Sequence, residues 1–414
     1  MSVSIRGADQ LLLPPREGLP WLRGDDIGAQ TLNGGGLSIE DGRIRALEPD
    51  AGADMQIDAS GCAVIPGFID CHTHLPFAGW REGEYDQKLR GVGYEEIARG
   101  GGGIAASARA LRESSDQAVL RQARALADEM LAHGTTCFET KSGYGLSRDG
   151  ELRALRLARE LETNVAQTTL STALLAHSVP AGYDAAGWMR EVEEMMPEVV
   201  ALGSVSALDI FVESIAFSNQ DLATMGALAA AAGLALRCHV EQFGGCRSVP
   251  VALAAGARSV DHLSTLAADD IAPLAGADCA AVLLPGAEFL GAERRAPGRA
   301  LLDAGALVVL ATDHNPGTAP VGSMPLVMGL AARLYGFNAL ETLAAATLNA
   351  AWVLGMERTL GSIEAGKQAD LLLLDGPVQR IAYRLGHNPV LAAVVAGEPV
   401  YVRDAEAAAR IGRR

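Results

Sequence analysis

The stretch Val64-Ile65-Pro66-Gly67-Phe68-Ile69-Asp70-Cys71-His72-Thr73-His74 decides the reading of this chain. Val64–Asp70 is an apolar run of strand length, and two histidines stand two residues apart just past its end. Side chains on extended backbone repeat every second residue, so His72 and His74 face the same way and can grip one cation. A His-x-His pair by itself matches by chance too often to carry a function. Its weight comes from what the rest of the chain repeats around it.

From Val64 onward, short apolar strands alternate with Ala/Leu/Arg-rich helical stretches, the pattern of β-α units around a parallel sheet. The strand candidates end in polar, ionisable residues. Thr135–Glu139 precedes Lys141 and Tyr144, Thr168–Leu175 precedes His177, and Leu234–Cys238 precedes His239. Arg258–Val260 precedes Asp261 and His262, and Leu307–Ala311 precedes Asp313 and Asn315. Ala207–Glu213 reads as another strand, with Asp209 and Glu213 on it. In a (β/α)8 barrel such ends converge on one face, where the active site sits. The predicted fold is therefore α/β, a TIM-like barrel. Helix signals agree: Ser115 through Ala132 starts on serine and meets Gly134, and Asn338 with Glu341 forms a capping-box start for a helix stopped by Gly355.

The flanks read differently. Residues up to Gly61 are short strands broken by turns, as in the alternating run Leu37–Ile44 with its Asp41-Gly42 turn. After Gly361 the chain returns to strand-like text, through Asp375 and again at Leu391–Val395 and Pro399–Arg403. The simplest assembly pairs both ends in one small β-sandwich domain, residues 1–63 with 361–414, discontinuous around a barrel of residues 64–360.

Composition bounds the function. With 34 Lys+Arg against 50 Asp+Glu, the net charge of −16 argues against nucleic acid, whose recognition needs a basic surface. Lysine occurs only at Lys88, Lys141 and Lys367. No apolar run reaches the roughly 18 residues of a membrane helix, and the stretch near Leu11 runs into Pro14 and Pro15. A cytoplasmic enzyme without membrane partners is the expectation. The six cysteines make no Cys-x-x-Cys pair and read as reduced core thiols.

His239, His262 and Asp313 join His72 and His74 as strand-end candidates, and imidazoles with one carboxylate suit Zn2+ or iron. Pro66-Gly-Phe-Ile-Asp-Cys-His-Thr-His74, the later His239 and His262, Thr312-Asp313 and the tail Gly361–Asp370 resemble the amidohydrolase superfamily. Five further segments resemble its imidazolonepropionase family: His72–Arg81, Gly100–Ile104, Glu139-Thr-Lys-Ser-Gly-Tyr-Gly145, Ala176-His177 and Thr312-Asp-His-Asn-Pro-Gly-Thr318. The resemblance runs from about Ile65 to Val400. It implies one Zn2+ or Fe2+/Fe3+ per subunit on His72, His74, His239 and Asp313. It also implies a substrate pocket of Arg81, Tyr144, His177, Gln242, Asn315, Gly317 and Thr318. The implied reaction opens 4-imidazolone-5-propanoate to N-formimidoyl-L-glutamate by a metal-activated water, in histidine degradation, in a homodimer. Arg81 suits the substrate's propanoate chemically, because a guanidinium offers a carboxylate a bidentate fork. Asp313, His262 and His177 are the candidates for proton transfer and oxyanion stabilisation.

One departure matters. Some relatives carry Glu three residues after the third histidine, where this chain has Gln242, with Glu241 one earlier. An amide cannot act as a base, so that role falls to Asp313 or His262, and Gln242 is left to orient substrate. Lys141 could serve as a carboxylated ligand bridging two metals, as a lysine does in other amidohydrolase branches; its neighbours here favour a supporting role beside one metal. Gly100–Gly103 lacks the Lys-Ser/Thr ending of a phosphate loop and reads as an active-site loop. His133 reads as a helix-end residue, His387 as structural, and His314 as facing away from its neighbours' side chains. Glu213 reads as a support behind the site. A heterocycle deaminase, releasing ammonia from an exocyclic amine, and a non-catalytic scaffold are the competing functions; Arg81, Tyr144 and Asn315-Pro-Gly-Thr318 argue against the first, and the complete ligand set against the second.

Overall fold

The computed structural model describes residues 1–291 and 294–413. Its centre is an eight-stranded parallel sheet: β1 (Phe68–Asp70), β2 (Thr135–Lys141), β3 (Thr168–Ala176), β4 (Val205–Val212), β5 (Ala235–Val240), β6 (Ser259–His262), β7 (Ala280–Leu283) and β8 (Leu307–Leu310). Neighbours in the sheet are neighbours in sequence, and helices such as Asp116–Ala132, Arg148–Glu162, Ala185–Ala201 and Asn219–Ala232 link them. Just past the strand ends, the Asp313 N–H donates to the His72 carbonyl at 3.0 Å and the His74 N–H to the His314 carbonyl at 2.9 Å. These bonds draw β8 to β1 and bring the sheet close to a ring. Three of the four residues whose backbone closes it, His72, His74 and Asp313, were expected to bind metal through their side chains.

Strand alternation sorts the side chains into two shells. Leu208, Ile210, Leu236, Cys238 and Val260 pack outward in the core shared with the helices. Inside the ring, Ile69, Cys71, Cys137, Val282 and Val309 form an apolar plug. Glu139 and Lys141 on β2, Asp209 on β4, Arg237 on β5 and Asp261 on β6 are all at most 1% exposed. The cysteines are free thiols and all but Cys246 are buried.

The two ends of the chain meet in a mixed nine-stranded sheet. Ser2–Leu13 pairs antiparallel with Thr31–Glu40 and, on its other edge, parallel with Met55–Asp58 and Ala63–Pro66. Leu371–Leu374, Val390–Val395 and Glu398–Val402 extend it, and Ile411–Arg413 pairs with Met55–Asp58. Val3, Ile5, Ile39, Ile57, Leu371 and Val394 share one apolar cluster. The expected turn is present: Asp41 and Gly42, at φ 49° and 77°, join Thr31–Glu40 to Arg43–Ala46.

Three local expectations change. Val64–Asp70 is two strands, Ala63–Pro66 in the terminal sheet and β1 in the barrel, separated at Gly67. β7, an alanine-rich strand that runs into Leu284-Pro285, carried no ionisable marker and was not expected. The helix begun at Asn338 has its capping box but stops at Ala346; Thr347 leaves the helical region at φ −131°, ψ −98°, and a second helix runs Leu348–Val353. Among the described residues no helix is long and apolar enough to cross a membrane.

Gly67 is where the chain passes between the two sheets, and a Cβ there would lie 2.1 Å from Thr136 Oγ1 and 2.8 Å from Thr136 Cβ. Because the nearest obstacle includes a side chain's root, repacking cannot relieve it cheaply. Gly67→Ala is expected to lower unfolding free energy by about 1–3 kcal/mol; denaturant titration of the variant beside wild type measures this.

Candidate active site

The barrel's C-terminal rim brings the strand-end histidines together. Asp313 Oδ1 lies 3.5 Å from His72 Nε2 and 3.2 Å from His74 Nε2. His239 Nε2 stands 3.5 Å from His74 Nε2, and the His262 ring is centred 5.3 Å from His239 and 5.7 Å from His72. Two overlapping sets, His72/His239/His262 and His72/His74/Asp313, each hold their potential ligand atoms within 4.8 Å of one another. All are buried, and His72 Nε2 and Asp313 Oδ2 have no hydrogen-bond partner. Unpaired buried polar atoms are costly, and a cation would satisfy both. Asp313 and His262 also sit at φ 56° and 80°, strained backbone of the kind found at functional sites.

Partners behind the rings set which nitrogen faces the centre. His72 Nδ1 is 2.6 Å from Asp261 Oδ2, and His239 Nδ1 is 3.1 Å from Asp209 Oδ1. Ionised carboxylates only accept, so Nδ1 carries the hydrogen in each ring and Nε2 turns its lone pair to the cluster. Asp209 Oδ2 also takes Lys141 Nζ at 2.7 Å, Lys141 lies 2.9 Å from Glu139 Oε2, and Arg237 reaches both Glu139 and Asp261. Burial and Arg237 oppose a charge on Lys141, yet Asp209 and Glu139 hold its pKa above the usual value. A lysine kept as ammonium between two carboxylates has no free lone pair with which to become a carboxylated bridge. Glu139, Asp209, Asp261 and Asp313 outnumber Lys141 and Arg237 by two negative charges, an excess that favours further positive charge at the histidines.

Burial lowers the pKa of His74 to about 3, and depresses His177, His239 and His262 as well. Neutral imidazoles are what ligation requires. His72 differs: burial and Lys141 would lower it, but the carboxylates of Asp261 and Asp313 raise it to about 9, so its Nε2 lone pair holds a proton until a cation takes that place.

The cluster opens into a small cavity that His74, His239, His262 and Asp313 share with Arg81, Tyr144, His177, Gln242, Asn315 and Thr318. Arg81, with a side chain 7% exposed, has no hydrogen-bond partner for Nε or Nη1; the Glu84 carboxylate is 3.6 Å from Nε. The guanidinium passes over Gly317, where a Cβ would fall 1.6 Å from Nη2. Only glycine leaves it room. His177 Nδ1 is 3.0 Å from the Gly143 carbonyl, which can only accept, so His177 presents an unprotonated Nε2. That tautomer suits acceptance from a ring N–H and not donation to an oxyanion. Tyr144 and His74 flank His177, each with ring centroids 5.3 Å away.

Asn315 lines the cavity, but its side chain is committed to its own turn. Oδ1 accepts from the Gly317 and Thr318 N–H groups at 2.9 and 2.8 Å, and Nδ2 donates to the Asp313 carbonyl at 2.6 Å and to Thr318 Oγ1 at 2.9 Å. It shapes the loop that carries Gly317 beneath Arg81. Sequence reasoning missed three cavity walls, Ile104, Phe211 and Phe243. Ile104 ends the Gly100–Gly103 run, the one signal available; Phe211 alternates with Asp209, while nothing local marks Phe243. His314 packs on Trp80 and Phe77, outside the cluster. His133 Nδ1 bonds the Glu129 carbonyl at a helix end, and His387 pairs with Asp375.

The Amidohydrolase family model matches residues 63–401. The chain is 41% identical over 391 residues to imidazolonepropionase of Rubrobacter xylanophilus, covering 91% of this chain and 93% of that one. With the imidazolonepropionase of Paracoccus denitrificans it shares 42% over 378 residues, 88% and 94% of the two chains. Among solved structures, a triazine hydrolase variant superposes with TM-score 0.74 at 17% identity, covering 99% of both chains. A zinc-bound adenosine deaminase from Xanthomonas campestris gives 0.70 at 19%, covering 99% of this chain and 95% of that one. These distant likenesses speak for the fold. At the identity and coverage of the two sequence relatives, the chain belongs to the amidohydrolase family and, within it, to the imidazolonepropionases.

Proposed function

We propose that the chain hydrolyses the ring carbon–nitrogen bond of 4-imidazolone-5-propanoate, giving N-formimidoyl-L-glutamate in histidine degradation. Arg81 carries the reading: a buried guanidinium with two unpaired nitrogens faces the same cavity as the histidine–aspartate cluster. In a chain of net charge −16, such a cation in the cavity wall selects an anionic substrate group, and the propanoate supplies one. A deaminase substrate without a carboxylate would leave Nη1 of Arg81 without a hydrogen-bond acceptor, with only the Glu84 carboxylate at 3.6 Å from Nε as counter-charge.

We assign His72, His74, His239 and Asp313 to hold one Zn2+ or iron ion per subunit, through the imidazole Nε2 atoms of His72, His74 and His239 and the carboxylate of Asp313. The ion supplies Lewis acidity and acidifies water. Asp313 Oδ2, buried without a hydrogen-bond partner, is placed to take up a proton and return it to the departing ring nitrogen. His262 steadies the developing oxyanion. His177 accepts a ring N–H at Nε2. Tyr144, Gln242 and Thr318 orient the heterocycle, while Asn315 and Gly317 act by shaping the bed of Arg81. A homodimer in the cytoplasm belongs to the same reading and rests on the family resemblance.

The deciding experiment follows ultraviolet loss of the imidazolone chromophore on adding metal-loaded protein to freshly generated substrate. Formimidoylglutamate as product, with no turnover by His72→Ala, is the expected result; an inert metal-loaded protein, or ammonia release from a heterocyclic amine, would overturn it. Chelation should abolish turnover and re-addition of Zn2+ or Fe2+ restore it. Arg81→Met is expected to raise KM by about ten- to a hundredfold, the loss of hydrogen bonds to a charged group, with a smaller change in kcat. Asp261→Asn, which frees the Nδ1 side of His72, should weaken metal affinity by about 10–100-fold in chelator competition.

A further inference from the structure

Glu213 follows the end of β4, is 3% exposed, and lies outside the histidine–aspartate cluster. Its Oε1 accepts the backbone N–H groups of Gln242 and Phe243 at 2.8 and 2.9 Å, and Oε2 accepts that of Gly244 at 3.1 Å. The Ser214 N–H is a further donor to it. A carboxylate engaged this fully has little capacity left to act as a base on substrate. What it does is hold a loop.

That loop leaves β5 abruptly. β4 and β5 end side by side, Val212 opposite Val240, which sets Glu213 next to Glu241. Glu241 turns the chain out of the strand at φ 56°, a left-handed conformation that costs a non-glycine residue free energy and needs outside support. The next two residues, Gln242 and Phe243, are walls of the cavity. His239, by contrast, is oriented by Asp209 and owes nothing to Glu213. The clamp and the metal ligand therefore have separate supports on adjacent strands.

We propose that Glu213 is a positioning residue that sets the site's affinity for its heterocyclic carboxylate by fixing the backbone of residues 242–244. It acts through Gln242 and Phe243 and leaves the metal ligands alone. This rests on the substrate reading above.

The test uses full-length, metal-loaded protein and 3-(imidazol-4-yl)propanoate as a stable probe, with wild type, Glu213→Gln, Gln242→Ala and the double variant compared by calorimetry. Glu213→Gln keeps the size of the side chain but replaces an acceptor oxygen with a donor facing backbone N–H groups. It should weaken probe binding about tenfold, the scale of hydrogen bonds to a charged group. The double variant should be no weaker than the worse single, because both act through the same loop. Metal content should match wild type, and amide exchange should accelerate at 242–244 with β5 unchanged. Probe affinity equal to wild type, multiplying effects in the double variant, or loss of metal along with affinity would each overturn the proposal. If Glu213→Gln does not fold, Glu213→Asp, one methylene short of the same three donors, takes its place under the same criteria. Failure of the wild type to turn over the imidazolone would count against the substrate reading alone, because the exchange comparison does not depend on turnover.

Discussion

The arrangement depends most on the ion network inside the upper barrel, where Glu139, Lys141, Asp209, Arg237 and Asp261 share partners with almost no access to water. Such a cluster is a poor source of stability, since desolvation of each charge consumes most of the Coulomb gain. Its contribution is specificity of register. With a side-chain period of two, a slip of one residue in β2, β4, β5 or β6 would turn these charges outward into the apolar shell between strands and helices. Only one register lets every charge find its partner, and that register also aims the Nε2 atoms of His72 and His239 at one point.

The site's upper wall is supported by a second device, used more than once. Glu151, 1% exposed, accepts the N–H groups of Gly143 at 2.8 Å and Leu146 at 2.9 Å, which holds the turn carrying Tyr144 and the carbonyl that selects the His177 tautomer. Outside the lining of this cavity, Glu288 takes Ser264 Oγ, the Ala296 N–H and the Tyr335 hydroxyl at 3.0, 2.7 and 2.7 Å. Buried carboxylates gripping loop donors let irregular backbone be placed as firmly as a strand, because each loop N–H that no ladder satisfies is met by a charged acceptor. Burial pushes the pKa of both glutamates upward, the cost of keeping them there.

Much of this was legible in the sequence, and the pattern of success has a physical cause. Strands ending in His72, Lys141, His177, His239, His262 or Asp313 were recognisable because polar residues after an apolar run are rare unless something uses them. β7 was invisible for the converse reason: it carries alanine and leucine and delivers no polar group to the rim. The split of Val64–Asp70 at Gly67 was hidden because both halves are buried, one in each sheet, and so read as a continuous apolar run. Asn315 lines the cavity, but its type alone could not tell a substrate donor from a turn-maker, since an amide serves either end.

The chain's local order by itself determined residue type, spacing and face: which side chains stand at strand ends, that His72 and His74 look the same way, and that an acidic protein keeps an arginine near them. Only the tertiary structure decided the partners. His72 meets Asp261 across 189 residues, Arg237 meets Glu139 across 98, and Glu213 meets Gln242 across 29, each through the ring's closure and the alignment of neighbouring strands. Spacing fixes direction along one strand, whereas tautomer, charge balance and loop position are set by atoms on other strands. Those atoms have no address until the sheet curls round on itself.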